Sequence, residues 1–111
     1  MKLRKSTPGS NEYKLIISIE AISDIDEILM WYDLHSAGLA KEFYQSLIRG
    51  LKHILTFPLS YQKIFHDKRR CKLKKFPISI FYSINKIKTE IVIGAVLHQK
   101  RNPEILETRI K

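Results

Sequence analysis

An α+β fold is expected, of order β-α-α-β-β-β, with an antiparallel sheet and an N-terminal helical hairpin packed on one face. Three observations predict it. Two stretches between residues 20 and 57 repeat apolar residues every three or four positions. The stretches around them are short and rich in β-branched and aromatic residues. A single cluster of breaking residues, His35-Ser36-Ala37-Gly38, joins the two helical stretches, and so short a break suits an antiparallel hairpin.

Taken in order, residues 1–12 hold Pro8-Gly9-Ser10-Asn11 and little that is apolar, so they read as a loose leader before one domain over residues 13–111. Tyr13-Lys14-Leu15-Ile16-Ile17-Ser18 reads as a first strand. From Glu20 the period lengthens, and Ala21, Ile22, Ile25, Ile28, Leu29 and Tyr32 fall on one helical face. Asp24, Asp26 and Glu27 sit early, where negative charge suits the helix dipole. The second helix carries Ala40, Phe43, Leu47, Leu51 and Ile54 as its stripe and stops at Pro58.

Beyond Pro58 the helical period fades. Residues 61–65 fit a strand or a loop equally well. Arg70 to Phe76 alternates, with Cys71 and Leu73 on one side and Arg70, Lys72 and Lys74 on the other. Ile78 to Asn85 and Ile91 to Leu97 are strong strands around a turn at Asn85–Thr89. Pro77 donates no ladder hydrogen bond and belongs at a strand start or an irregularity. The tail from Asn102 to Lys111 has room for one helical turn. If the alternation holds, Cys71 and Leu73 turn toward the helices and the cations face water on the open side of the sheet.

At 111 residues the chain is one domain, burying roughly 65% of its unfolded surface. The longest apolar run, Ile91 to Leu97, is far short of the roughly 20 residues of a membrane-spanning helix. Met1-Lys2-Leu3-Arg4-Lys5 does not lead into a secretory apolar stretch, so a cytoplasmic protein is expected, with no membrane contact. Cys71 is the lone cysteine, which excludes an internal disulfide and a cysteine-based zinc site. Neither metal nor cofactor is expected.

The formal charge is +9, from 20 basic and 11 acidic side chains. Residues 1–60 hold seven of each sign, whereas residues 61–111 hold thirteen basic against four acidic. Lys68-Arg69-Arg70-Cys71-Lys72-Leu73-Lys74-Lys75 carries six cations and no acid. Such self-repulsion makes sense where an anionic counterpart neutralises it, either nucleic acid or an acidic protein.

Several stretches together carry a resemblance. The first helix opens Ala21-Ile22-Ser23-Asp24-Ile25-Asp26-Glu27-Ile28, and the second holds Phe43-Tyr44-Gln45-Ser46-Leu47 and ends in Phe57-Pro58. Arg70 and Lys75-Phe76-Pro77-Ile78-Ser79-Ile80-Phe81-Tyr82 follow, and the last strand closes as Ala95-Val96-Leu97-His98-Gln99-Lys100-Arg101-Asn102-Pro103. Over residues 13–109 this resembles the RelE/ParE superfamily of toxins from bacterial type II toxin–antitoxin pairs. The Phe-Pro-Ile-x-Ile-Phe-Tyr pattern is more similar to the ParE side.

The resemblance implies one of two activities, each held in check by a small acidic antitoxin. One branch binds DNA gyrase and blocks it; the other cleaves mRNA on the ribosome. A plain RNA-binding module is the alternative from another class. Cleavage without a metal needs a general acid or base and a cationic clamp on the phosphate. The resemblance places Arg70 and Arg101 as the clamp, Lys68 and Lys72 as added field, and His98 as acid or base, with Asp67 the nearest carboxylate. Many nucleases of the family carry a tyrosine near the C-terminus, and no tyrosine follows Tyr82 here. For partner or nucleic-acid binding the candidates are Lys68, Arg69, Arg70, Lys72, Lys74, Lys75, Lys100 and Arg101. Plainer roles compete: His98 as a strand-end cap, the arginines as partners of antitoxin carboxylates, Cys71 as core, and Trp31, Tyr32, Phe76, Phe81 and Tyr82 as packing.

Overall fold

Hydroxyl and glycine residues at the junctions set where the helices begin. In the computed structural model, which describes residues 13–99 and 108–109, strand β1 (Lys14–Ile17) runs into helix α1 (Ile19–His35). Ser18 between them stays extended, and its Oγ accepts the Ala21 amide at 3.1 Å, as an N-cap must. Helix α2 (Leu39–Thr56) follows after three residues. Its N-cap, Gly38, sits at φ 91°, a left-handed backbone that side chains resist and glycine tolerates. The leader 1–12 and most of the tail 102–111 lie outside the described residues.

The second helix buries Phe43, Leu47, Leu51 and Ile54, four of the five positions expected of its stripe. The first helix departs from expectation. It turns in Ala21, Ile25, Ile28, Leu29 and Tyr32, but also Asp24, while Ile22 is 48% exposed. Ile22 follows Ala21 by one residue, which on a helix is a rotation of about 100° away from the buried centre line. Trp31, expected to pack, is 54% exposed and stacks on His35 with ring centroids 3.8 Å apart. Tyr32 packs as expected, against Phe43 and Phe76.

Strands β2 (Lys63–Phe65), β3 (Lys68–Lys72), β4 (Ile78–Asn85) and β5 (Glu90–His98) complete a five-stranded sheet of order β1-β5-β4-β3-β2. The α+β class and the element order are those expected. The sheet is mixed, because β1 pairs parallel with β5 whereas the other pairs are antiparallel. The segment 61–65, readable either way from sequence, contributes β2. The third strand is shifted: it ends at Lys72, and the chain bends through Leu73–Pro77, where Leu73 N–H donates to Ile78 C=O at 2.9 Å. Pro77 immediately precedes β4, a position that asks no ladder donor of it.

Between Phe81 and Tyr82 the β4–β5 register slips, so that Phe81 faces Ala95 while Tyr82 faces Ile93, and Gly94 is the extra residue. The slip resets the alternation along β5. Ile91, Ile93 and Val96 all reach the helix-side core, while Ala95 and Leu97 turn to the other face. Past the end of β1 this edge of β5 needs new partners. Asp24 Oδ2 accepts the Val96 amide at 3.0 Å, and Arg109 Nη2 lies 2.8 Å from Asp24 Oδ2 and 3.3 Å from Gly94 C=O. Arg109 is thereby pinned to the first helix. Asp24 in turn holds the Arg109 guanidinium above its ordinary pKa, chiefly through that hydrogen bond.

Tyr82 closes the other end of the core: its hydroxyl donates to Pro58 C=O at 2.6 Å. Burial pushes this phenol up to about 12, with Arg69 pulling the other way. A phenol whose folded pKa exceeds its unfolded value contributes stability present below pH 10 and lost as pH rises toward 12. Alkaline unfolding should therefore show stability falling across that window. In Tyr82→Phe part of this slope should vanish, with about 1–2 kcal/mol lost at neutral pH because the Pro58 carbonyl loses its donor. Urea melts at pH 7, 10 and 11.5 read both effects.

Candidate functional site

Alternation along β3 sends Cys71 to the helix side and Arg70 and Lys72 to the other side. Their Cα partners on β4 are Ile80, Phe81 and Ser79 respectively. Cys71 is buried in the core, as expected, and burial raises its thiol above the ordinary value while a Tyr61 hydrogen bond opposes that. Lys68 also belongs to the outer face and is paired with Asp67 at 3.8 Å. It lines a small hollow of about 80 Å³ with Phe81, Ser83, Val92 and Arg109. Lys68, Arg70 and Lys72 thus share the face of the sheet turned away from the helices, Lys68 and Arg70 half-buried and Lys72 exposed, beside side chains of β4 and β5 that are fully buried there.

That face is not basic throughout, which corrects the simple picture from alternation. Phe81, Ala95 and Leu97 form a second apolar cluster there, with Ile64 and Phe65 of β2 packed against it. Ser79, whose Oγ is buried and has no hydrogen-bond partner among the described residues, lies beside them. Lys74 does not join the face either. Because β3 stops at Lys72, Lys74 and Lys75 fall in the bend and line a groove against α2. Arg69 turns to the helix side, where its Nη1 donates to Tyr61 C=O at 2.7 Å and Leu59 C=O at 3.3 Å.

His98 ends β5 opposite Ile78, on the exposed rim of the sheet. It follows Leu97 of the outer face, so alternation aims it to the helix side, away from Arg70. Lys100 and Arg101 lie outside the described residues. Phe76, Phe81 and Tyr82 are buried, as expected of packing residues.

The groove between α2 and the bend is the feature that sequence reading passed over. Arg49, Lys52 and His53 stand at i, i+3 and i+4 on α2, hence on one helical stripe, and they face Lys72, Lys74 and Lys75 across it. Its volume is about 750 Å³. His53 Nδ1 is hydrogen-bonded to the Tyr61 hydroxyl on its wall, and burial drives the Tyr61 phenol well above its ordinary pKa.

The chain matches the family model of the ParE toxin of the type II toxin-antitoxin system, parDE, over residues 15–103. No curated protein matches it. Among solved structures, a chain of the chromosomal ParDE TA system from P. aeruginosa superposes with TM-score 0.68 at 19% identity, covering 80% of this chain and 98% of that one. An arginine-to-alanine double mutant of E. coli toxin RelE in the free state gives TM-score 0.63 at 14% identity, covering 89% and 95%. The RelBE2 toxin-antitoxin complex from Mycobacterium tuberculosis gives 0.54 at 14%, covering 78% and 91%. At these identities the structures speak for the fold, and the family rests on the sequence model that spans most of the chain. The chain belongs to the ParE toxin family of type II toxin–antitoxin systems.

Proposed function

We propose that this toxin arrests growth by binding DNA gyrase, in the cytoplasm, and that a small acidic antitoxin neutralises it. The observation that carries the reading is the ParE family match over residues 15–103. The geometry supports binding in preference to cleavage, because alternation sets His98 on the opposite side of the sheet from Arg70. Lys68, Arg70 and Lys72 would make the contact, and an antitoxin that lays carboxylates over them would gain in association rate and specificity.

Ribosome-dependent mRNA cleavage is the second reading. The side-by-side Arg70 and Lys72 favour it, since two cations on one face can clamp a phosphate; Arg101 would join that clamp, and His98 would have to serve it from the rim of the sheet.

Purified toxin should stop gyrase supercoiling of relaxed plasmid and leave mRNA on stalled ribosomes intact. Intact supercoiling together with cut mRNA, lost in His98→Ala, overturns the gyrase reading in favour of cleavage. Neither effect, with no growth arrest on induction, leaves a plain RNA-binding module.

A further inference from the structure

The groove between α2 and the β3–β4 bend gathers a second set of cations, and it meets the outer face of the sheet only at Lys72, which borders both. Both of its walls are cationic, with Arg49 and Lys52 on the helix and Lys72, Lys74 and Lys75 on the other side. No carboxylate is among the described residues that line it. Five cations held about one trough repel one another in the free protein, and a regular polyanion relieves that repulsion. Arg49 and Lys52 come from the half of the chain that is neutral overall, so the basic excess of residues 61–111 does not by itself account for the helix wall.

Two observations decide which polyanion fits. An acidic peptide would bind best by adding a strand to the edge of β3. Little of that edge is free: β2 pairs with Lys68 and Arg69, Gln62 C=O takes the Arg70 amide, and only Cys71 and Lys72 remain before the strand ends. Two residues are too few for a strand ladder, whose usual length is about five or six. His53 and Tyr61 line the groove, and Phe57, just outside its lining, extends their run of rings from His53. His53 lies 5.1 Å from Phe57 and 5.5 Å from Tyr61, ring centre to ring centre, and Phe57 is 53% exposed. Cations along a groove with exposed rings at its side are what a single-stranded nucleic acid uses, phosphates on the one and bases on the other.

We infer that the groove of Arg49, Lys52, His53, Lys72, Lys74 and Lys75 binds single-stranded nucleic acid by its sugar–phosphate backbone, with Phe57 as a stacking surface. The inference does not rest on the gyrase reading, whose contact is centred on Lys68 and Arg70 of the other face and shares only Lys72 with the groove.

Fluorescence anisotropy with labelled twelve-nucleotide single-stranded RNA, single-stranded DNA and duplex DNA tests it. The intact protein should bind at least one single strand more tightly than duplex, with a log–log salt slope of about −3.5 if all five cations engage. Lys52→Glu with Lys74→Glu should lower affinity at least tenfold and flatten the slope to about −2. Arg49→Glu with Lys75→Glu should do the same, and guards against misfolding of the first pair. Phe57→Ala should cost about tenfold. Lys86→Glu with Lys88→Glu, in the exposed β4–β5 turn, changes net charge equally and should have little effect. Whichever of RNA and DNA binds more tightly identifies the source of the strand. Equal loss in the turn variant, preference for duplex, or capture of a poly-glutamate peptide without nucleic acid would each overturn the assignment.

Discussion

Asp24→Ala is expected to destabilise the fold by about 3–5 kcal/mol, the usual cost of removing one partner from a buried ion pair. The carboxylate serves two donors at once. Its Oδ2 accepts the Val96 amide at 3.0 Å, and both oxygens take Arg109, at 3.1 and 2.8 Å. Alanine strands a backbone amide on the β5 edge, where β1 has already ended, and also leaves a guanidinium without its counter-ion. Each loss is costly because neither group is open enough to recover water freely. Asp24→Asn keeps an acceptor for Val96 and should cost clearly less. Arg109→Ala should also cost less, since Arg109 is the more exposed partner, at 24% against 9%. Urea melts of the three variants and of the Asp24→Ala/Arg109→Ala double should show strong coupling between the two sites. A change below about 1 kcal/mol in Asp24→Ala would mean that Arg109 and the Val96 amide do not depend on this carboxylate.

Phe43→Ala should cost a similar amount, about 3–5 kcal/mol. Phe43 is fully buried and meets Tyr32 of α1 at 5.8 Å and Phe76 of the β3–β4 bend at 5.7 Å between ring centres. It is the ring that ties both helices to the sheet, so truncation leaves a cavity bounded by rigid elements on three sides. Phe43→Leu, which refills most of that volume, should recover more than half of the loss. The comparison is read as midpoints of urea unfolding at constant slope.

Much of this fold is written in local pattern. The stripe of α2 is a clean 3.6-residue repeat, and β4 and β5 are apolar runs bounded by a polar turn, so period and breakers alone place them. The buried role of Asp24 is written nowhere locally. An acid early in a helix is ordinary, and its burial follows from β1 ending short and a register slip at Gly94, both long-range facts. The shifted end of β3 has the same origin. Alternation runs on through Leu73 in the sequence, and Leu73 is indeed buried, but the turn to Ile78 has already ended the ladder.

The cations illustrate the limit for a site. Their density from Lys68 to Lys75 is plain in the sequence, yet where they point depends on where the strand stops. Lys68, Arg70 and Lys72 stay on the sheet, Arg69 is spent on two carbonyls of the loop after α2, and Lys74 and Lys75 swing to the helix. Arg49, Lys52 and His53 went unread because their half of the chain is neutral. The signal was available as an i, i+3, i+4 stripe of basic residues opposite the apolar stripe of the same helix.

The proposed gyrase contact is the outer face of the sheet around Lys68 and Arg70, and the α2 groove, which meets it only at Lys72, is proposed for a different ligand. The most direct measurement is gyrase supercoiling inhibition by the intact protein, by Arg70→Glu, and by Lys52→Glu with Lys74→Glu, all confirmed as folded by circular dichroism. Potent inhibition is expected from the first, a loss of at least tenfold for Arg70→Glu, and near-normal inhibition by the groove pair. Undisturbed supercoiling with the intact protein, or inhibition that fails only when the groove is reversed, would contradict the proposed contact.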